Sequence, residues 1–381
     1  MKRLCWIFIC ISLLLGCMPV MAYADGPEVE AKSAILMDAA TGTILCEQNA
    51  HDPLPPASVT KIMTLLLTME AIDGGRLQWN DTVTTSETAA AKGGSQVYLK
   101  VGESMTVTDM VKSIAVSSAN DCACAMAEHL AGSESAFVDK MNEKAKELGM
   151  NDTHFVNCTG LDDAPSAKDH LTSAHDIALM SRELLTKHPD IKKFTTIWMD
   201  TIRGGQFGLS NTNKLIWFYQ GATGLKTGFT RSAGYCLSAS AQRDNMELIA
   251  VVMGCETSPK RQAACKSLLD YGFAGFALIR PEIPQGSCVP VTLGSADSVK
   301  AVPAQQEDLL IEKGQKGLIT KETTLEESVP APVSQGQHLG TLTIKAGEQV
   351  LSEIPLVAEK AVEKLSWWQI FTRLLADGSV S

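Results

Sequence analysis

The chain has 381 residues, 45% of them hydrophobic and 20% charged, a balance that belongs to packed globular proteins and excludes the disordered class. At roughly 150 residues per domain this length excludes a single small module and sets an expectation of two domains. With 33 Lys+Arg against 43 Asp+Glu, a net charge of −10 and no long basic run, a phosphate-tracking surface would stand against the overall field, which argues against nucleic acid as a partner.

Lys2 and Arg3 precede an apolar run from Leu4 to Leu15, and Ala22-Tyr23-Ala24 places small residues where a signal peptidase reads. Residues 1–24 therefore read as a secretory signal peptide, and the protein as exported. A membrane anchor fits worse, because the run falls short of the roughly 20 residues of a bilayer span and is broken at Gly16 and Pro19. Leu14-Leu15-Gly16-Cys17 also resembles a lipobox, but apolar Met18 to Met21 follow where a polar tether is usual, so this reading ranks second.

Ala34–Met37 and Thr43–Cys46 are short apolar strands joined by Asp38-Ala-Ala-Thr-Gly42, a hairpin with Asp and Gly in its turn. From 57 to 72, Ile62, Leu65, Leu66, Met69 and Ile72 recur at helical spacing between Pro55-Pro56 and Asp73-Gly74-Gly75. Helical patterns follow at 107–130, 134–148 and 172–187, strands at 233–241 and 246–254, and a closing helix at 259–271.

Beyond Gly275 the character changes. Pro281, Pro284, Pro290 and Pro303, frequent Val and Thr, and short apolar stretches predict a small all-β module over 276–358. In the tail, 359–381, Trp367, Trp368, Ile370, Phe371, Leu374 and Leu375 share one helical face, with Ser366, Gln369, Thr372 and Arg373 opposite. Such an amphipathic helix packs on its own protein or lies in a membrane interface. Its position beyond the β module favours the membrane surface.

Three of the 11 cysteines fall in the leader. The other eight are Cys46, Cys122, Cys124, Cys158, Cys236, Cys255, Cys265 and Cys288; most lie in apolar contexts and are expected as free thiols rather than disulfides, despite the even count. Cys122 and Cys124 lack a second close pair, and His170 and His175 stand five apart, off a shared helical face, so no metal site is expected.

The chemistry-bearing pattern begins at Ser58-Val-Thr-Lys61. A lysine one turn after a serine can take its proton, and at the start of a helix the serine N–H is an unpaired donor able to meet an oxyanion. Alone, that spacing reads equally as an N-cap with a solvated lysine. Ser118-Ala119-Asn120 and Lys226-Thr227-Gly228 complete the order S-x-x-K, S-x-N, K-T-G found in penicillin-binding proteins and class A β-lactamases.

With Pro55–Thr64, Asn211–Lys214, Gly224–Thr230 and Ala233–Tyr235 added, the chain resembles the low-molecular-mass penicillin-binding proteins, serine-type D-alanyl-D-alanine carboxypeptidases, strongly over residues 30 to 275. Pattern alone gives an α+β fold. The resemblance implies a β-lactamase/transpeptidase-like catalytic domain over 25–275, an antiparallel sheet flanked by helices. Its helical lobe would carry the first two motifs, with K-T-G on the sheet edge. It further implies Ser58 as acylated nucleophile and Lys61 as its base; Ser118 and Lys226 as the proton relay to the leaving amine; and Asn120 holding Lys61 and the substrate amide. The Ser58 and Phe229 N–H groups would form the oxyanion hole, Thr227 and Arg261 would bind the substrate's terminal carboxylate, and Gly228 would belong to the same substrate-binding set.

The implied substrate is a peptidoglycan stem peptide ending in D-Ala-D-Ala, with β-lactams as covalent inhibitors and no metal or organic cofactor. Ala119 replaces the Asp of the β-lactamase motif, and the nearest match to the deacylating Glu segment, Glu147-Leu-Gly-Met-Asn151, reads as a helix end capped by Gly149. Slow deacylation of penicillin is the consequence. A β-lactamase-like hydrolase and a catalytically silent cell-wall binding protein are the competing readings.

Overall fold

The computed structural model describes residues 26–284, 286–305 and 308–377; the leader and lipobox readings lie outside the described residues. The expected hairpin forms as β1 (Ser33–Asp38) and β2 (Ile44–Gln48). Three long strands late in the domain, β3 (Ala222–Thr230), β4 (Gly234–Arg243) and β5 (Met246–Cys255), join it in an antiparallel sheet ordered β2-β1-β5-β4-β3. β1 therefore pairs with β5 across more than 200 residues of chain, with Leu36 opposite Ala250.

Both faces of this sheet are covered, which is why β5 reads as a nearly continuous apolar run. Ile249, Val251 and Met253 face one core, shared with Ile62, Met110, Met126, Phe137 and Ile177 of the helical lobe. Leu248, Ala250 and Val252 face a second core under Leu268, Leu269 and Phe273. The lobe is α1 (Lys61–Asp73), α2 (Val107–Ser117), α3 (Asn120–Ala131), α4 (Glu134–Glu147) and α5 (Ala174–Lys187); the other face carries α6 (Ser258–Gly275). α1 is buried on nearly every side, as a helix at the centre of a lobe must be.

The structure corrects the helix expected at 107–130. α2 stops at Ser117, Ser118 takes a left-handed conformation (φ 61°), and α3 restarts at Asn120. Periodicity runs through this break because both helices bury the same lobe core; the break itself is what presents the S-x-N motif.

Beyond α6, the strand Phe276–Ile279 pairs with Leu309–Glu312. A separate six-stranded sheet then takes the order 319–325, 338–346, 349–358, 298–303, 288–292, 329–330, around its own core of Val289, Val299, Leu342, Ile344 and Leu356. This is the expected all-β module. It reaches past the expected end at 358, since Val333 bridges Val362, Gly294 bridges Lys364, and Val362 is buried in its core. α7 (Trp367–Asp377) follows, with Trp367 and Trp368 each 68% exposed. Among the described residues no helix is long and apolar enough to cross a membrane.

Candidate active site

Ser58 sits in a single 3₁₀ turn, Ala57–Thr60, that feeds directly into α1. Ala57 has φ +48°, a strained region for a residue with a Cβ and one that clusters at functional sites. Two glycines make room for this turn. A Cβ on Gly160 would stand 1.8 Å from the Ala57 carbonyl, and one on Gly228 would stand 2.6 Å from the Pro56 carbonyl and 3.1 Å from the Ser58 nitrogen. The K-T-G strand thus runs against the Ser58 turn because position 228 has no side chain.

Lys61 Nζ donates to Ser58 Oγ at 2.8 Å and to the Thr159 carbonyl at 2.8 Å. Lys61 is fully buried, and that burial lowers its pKa to about 7, so a neutral amine is available next to the hydroxyl. Lys226, 1% exposed, donates to the Thr227 carbonyl at 2.9 Å. Burial, then the like charges of Lys61 and Arg261, hold it well below the usual lysine range. Two lysines in one dry cleft favour a single shared positive charge over two.

Asn120 and Ser118 flank the helix break at the cleft. Asn120 Nδ2 donates to the Gly93 carbonyl at 2.7 Å, its N–H to the Ser95 carbonyl at 2.7 Å, and its Oδ1 is buried without a partner. The expected Asn120–Lys61 hydrogen bond is therefore not formed; the Thr159 carbonyl takes that place, and the orphaned Oδ1 remains as an acceptor for an incoming N–H. Asp121, fully buried, accepts from the Val97 and Leu99 N–H groups and so pins the 93–99 segment beside the motif.

Thr227 Oγ1 donates to Thr212 Oγ1 at 2.7 Å, which ties the K-T-G strand to the Asn211–Lys214 segment. That segment is anchored by Asn211 to the Ile197 carbonyl and by Asn213 to the Gly224 carbonyl. Because β3 is the edge of the sheet, its outer side is open to an added strand of substrate. Phe229 is 52% exposed with its ring 4.3 Å from Tyr235. Arg261 lies behind the strand: Nη1 donates to the Gly228 and Cys236 carbonyls, the guanidinium covers Tyr235, and Nε is buried without a partner. Through these carbonyls it braces β3 directly after Thr227.

The spacing rules did not select Thr159, Thr212, Asp121 or His170. His170, weighed only as a metal ligand, is 3% exposed, and its Nδ1 accepts the Val156 N–H at 3.0 Å. Thr60 Oγ1 spends its proton on the Ala57 carbonyl, so His170 Nε2–H must donate to it, at 2.7 Å. This neutral tautomer props up the strained turn. The only signal available was negative: a histidine outside any metal spacing, four residues before the helix that starts at Ala174.

Glu147 ends α4 paired with Lys144, and Gly149 has φ +73°, as a helix end requires. The groups gathered at Ser58 are lysines, hydroxyls and an amide, a set suited to proton transfer and anion binding rather than to a cation. The eight described cysteines are unbridged.

Residues 20–257 match the Peptidase S11 family, described as D-alanyl-D-alanine carboxypeptidase, and residues 283–364 match the penicillin-binding protein 5 C-terminal domain. The chain is 42% identical to the D-alanyl-D-alanine carboxypeptidase DacF of Bacillus subtilis, over 99% of each chain. Penicillin-binding protein 5 of Haemophilus influenzae superposes with a TM-score of 0.75 at 30% identity, covering 90% of this chain and 100% of that one. Ampicillin-bound penicillin-binding protein D2 of Listeria monocytogenes gives 0.59 at 33% identity, covering 65% of this chain and 100% of its own. From Ser58 paired with the buried Lys61 to this two-domain coverage, the chain belongs to the S11 family of serine D-alanyl-D-alanine carboxypeptidases.

Proposed function

We propose that the protein removes the terminal D-alanine from peptidoglycan stem peptides through an acyl-enzyme on Ser58. The observation that carries this is the 2.8 Å contact between Lys61 Nζ and Ser58 Oγ, with Lys61 buried deeply enough to lower its pKa to about 7. Lys61 takes the Ser58 proton as Oγ attacks the carbonyl of the penultimate D-alanine. The oxyanion is met by the Ser58 and Phe229 N–H groups, a role supported by the close approach of β3 to the Ser58 nitrogen. As the C–N bond breaks, Lys226 and Ser118 pass a proton to the leaving amine. Water then hydrolyses the ester and restores Ser58.

Asn120 Oδ1, left without a partner, accepts the substrate amide N–H. Thr227 binds the terminal carboxylate, with the charge of Arg261 behind it. Glu147, tied to Lys144 at a helix end, supplies no deacylating base, so β-lactams act as long-lived inhibitors. The exposed Trp367 and Trp368 support a C-terminal helix that rests on the extracytoplasmic face of the cell membrane, with the β module as spacer.

The test is D-alanine release from a peptide ending in D-Ala-D-Ala, beside labelling by a fluorescent penicillin, for residues 25–381 and a Ser58→Ala variant. Both signals are expected in the parent and neither in the variant. Labelling without release would overturn the carboxypeptidase assignment, and release that survives Ser58→Ala would overturn the nucleophile.

A further inference from the structure

Outside the Ser58 site, and among the described residues, a cluster of ligand-type groups forms where two successive helices of the lobe and a later loop meet. Cys124 comes from α3, Glu134 from the first turn of α4, and Cys158 from the loop that carries Thr159. Their Sγ and carboxylate oxygen atoms all lie within 4.8 Å of one another. Both cysteines are fully buried. The Cys158 thiol donates to Glu134 Oε1 at 3.2 Å and the Cys124 thiol reaches Oε2 at 3.9 Å, while the Cys158 N–H also points at Oε1.

We propose that Cys124, Cys158 and Glu134 form a binding site for one soft divalent cation of the zinc and cadmium class. Two thiolates and one carboxylate are the ligand types that such ions select, and a fourth position is left for water. Charge balance supports the assignment. Glu134 is already compensated by Lys92, whose Nζ lies 2.6 Å from Oε2. When a divalent cation enters and the two thiol protons leave to solvent, two positive charges replace two, so the interior stays neutral with Lys92 as the outer partner. No electron is transferred. The charged groups facing the thiols are Glu134, Lys92 and, on the α1 side, Lys61. Glu134 and Lys92 side chains are about a fifth exposed and form the mouth of the site.

The site adjoins the catalytic base. Cys158 lies between Asn157, which caps the loop through Thr159 and Gly160, and Thr159, whose carbonyl holds Lys61; its own carbonyl accepts from Thr64 of α1. A bound ion would brace the seat of Lys61 from behind. Sequence spacing could not show this, because Cys124 and Cys158 are 34 residues apart and the carboxylate comes from a third element.

The test is a titration of the reduced, metal-free protein with Co²⁺, whose bonds to thiolate give a charge-transfer absorption that nitrogen and oxygen ligands do not. One equivalent is expected to raise that band, and Zn²⁺ to displace it. Cys124→Ser and Glu134→Gln, neither placed in the catalytic machinery, should each weaken Co²⁺ binding at least about 10- to 100-fold, while a Cys288→Ser control keeps it. Absence of the band in the parent protein, a band lost in Cys288→Ser instead, or recovery of Cys124 and Cys158 as a disulfide from protein purified without reductant would each overturn the proposal. The parent spectrum reads the site even if a variant folds poorly.

Discussion

The catalytic domain and the β module solve the same packing problem in opposite ways. Among the described residues, every buried polar or charged residue lies between Ser33 and Arg261; the buried residues of the β module are apolar, although Thr323 Oγ1 is a buried polar atom there. Its charges pair at the surface, as in Lys300–Glu359 and Lys345–Glu322. A buried lysine costs stability unless its surroundings are built for it. The catalytic domain accepts that cost twice at one cleft, with a strained Ala57 beside it. The contrast teaches that buried charge and strain are concentrated in one domain, where the chain departs from ordinary packing, while the module keeps to ordinary packing.

The comparison breaks most sharply at Lys61. Lys61→Ala should slow acylation by penicillin by about 10²- to 10⁴-fold, read as fluorescent labelling rate. In the parent, acylation should be slow while Lys61 is protonated and rise with pH through about 7, where burial has placed its pKa. A profile flat from about pH 5 to about pH 9 would remove Lys61 from the role of base.

Gly228→Ala comes next. The added Cβ meets the Pro56 carbonyl at 2.6 Å and must push β3 from the Ser58 turn, so labelling should fall roughly 100-fold with folding retained by circular dichroism. Labelling within a few-fold of the parent would mean that the turn yields without consequence.

Acid should separate the two domains by a smaller margin. Burial lowers the His170 pKa from 6.5 to about 4. Its contribution to stability is therefore complete above pH 6.5 and is lost as pH falls toward 4, because the unfolded state takes the proton first. The loss amounts to ~3 kcal/mol. Denaturant titrations across that window should show the catalytic domain weakening before the β module, whose His338 is exposed. Equal weakening would assign the effect to other groups. The smallest effect belongs to the module: Lys345→Ala breaks a surface pair with Glu322 and should change stability by less than about 1 kcal/mol, leaving D-alanine release unaltered.

Much of this was legible beforehand because it depends on local spacing. The hairpin at β1 and β2, the apolar helix behind Ser58, the strands β4 and β5 and the change of character near residue 276 all follow from period and turn residues. The three motifs marked the cleft for the same reason. The helix break at Ser118 was not legible from periodicity, since α2 and α3 bury one shared core and their apolar patterns run together. The seat of Lys61 on the Thr159 carbonyl, the prop from His170 and the hold of Arg261 on the Gly228 carbonyl were not legible either.

By itself, then, the sequence determined most element types, the two-domain division and the three motifs that meet at the cleft, because helix and strand periods and motif spacings are properties of neighbours in the chain. Only the tertiary structure decided which lysine is dry, which carbonyl holds it, and how closely β3 approaches Ser58. Those depend on groups as far apart as Lys61 and Thr159, or Ser58 and Gly228, and burial and close approach exist only once the sheet and the lobe have packed.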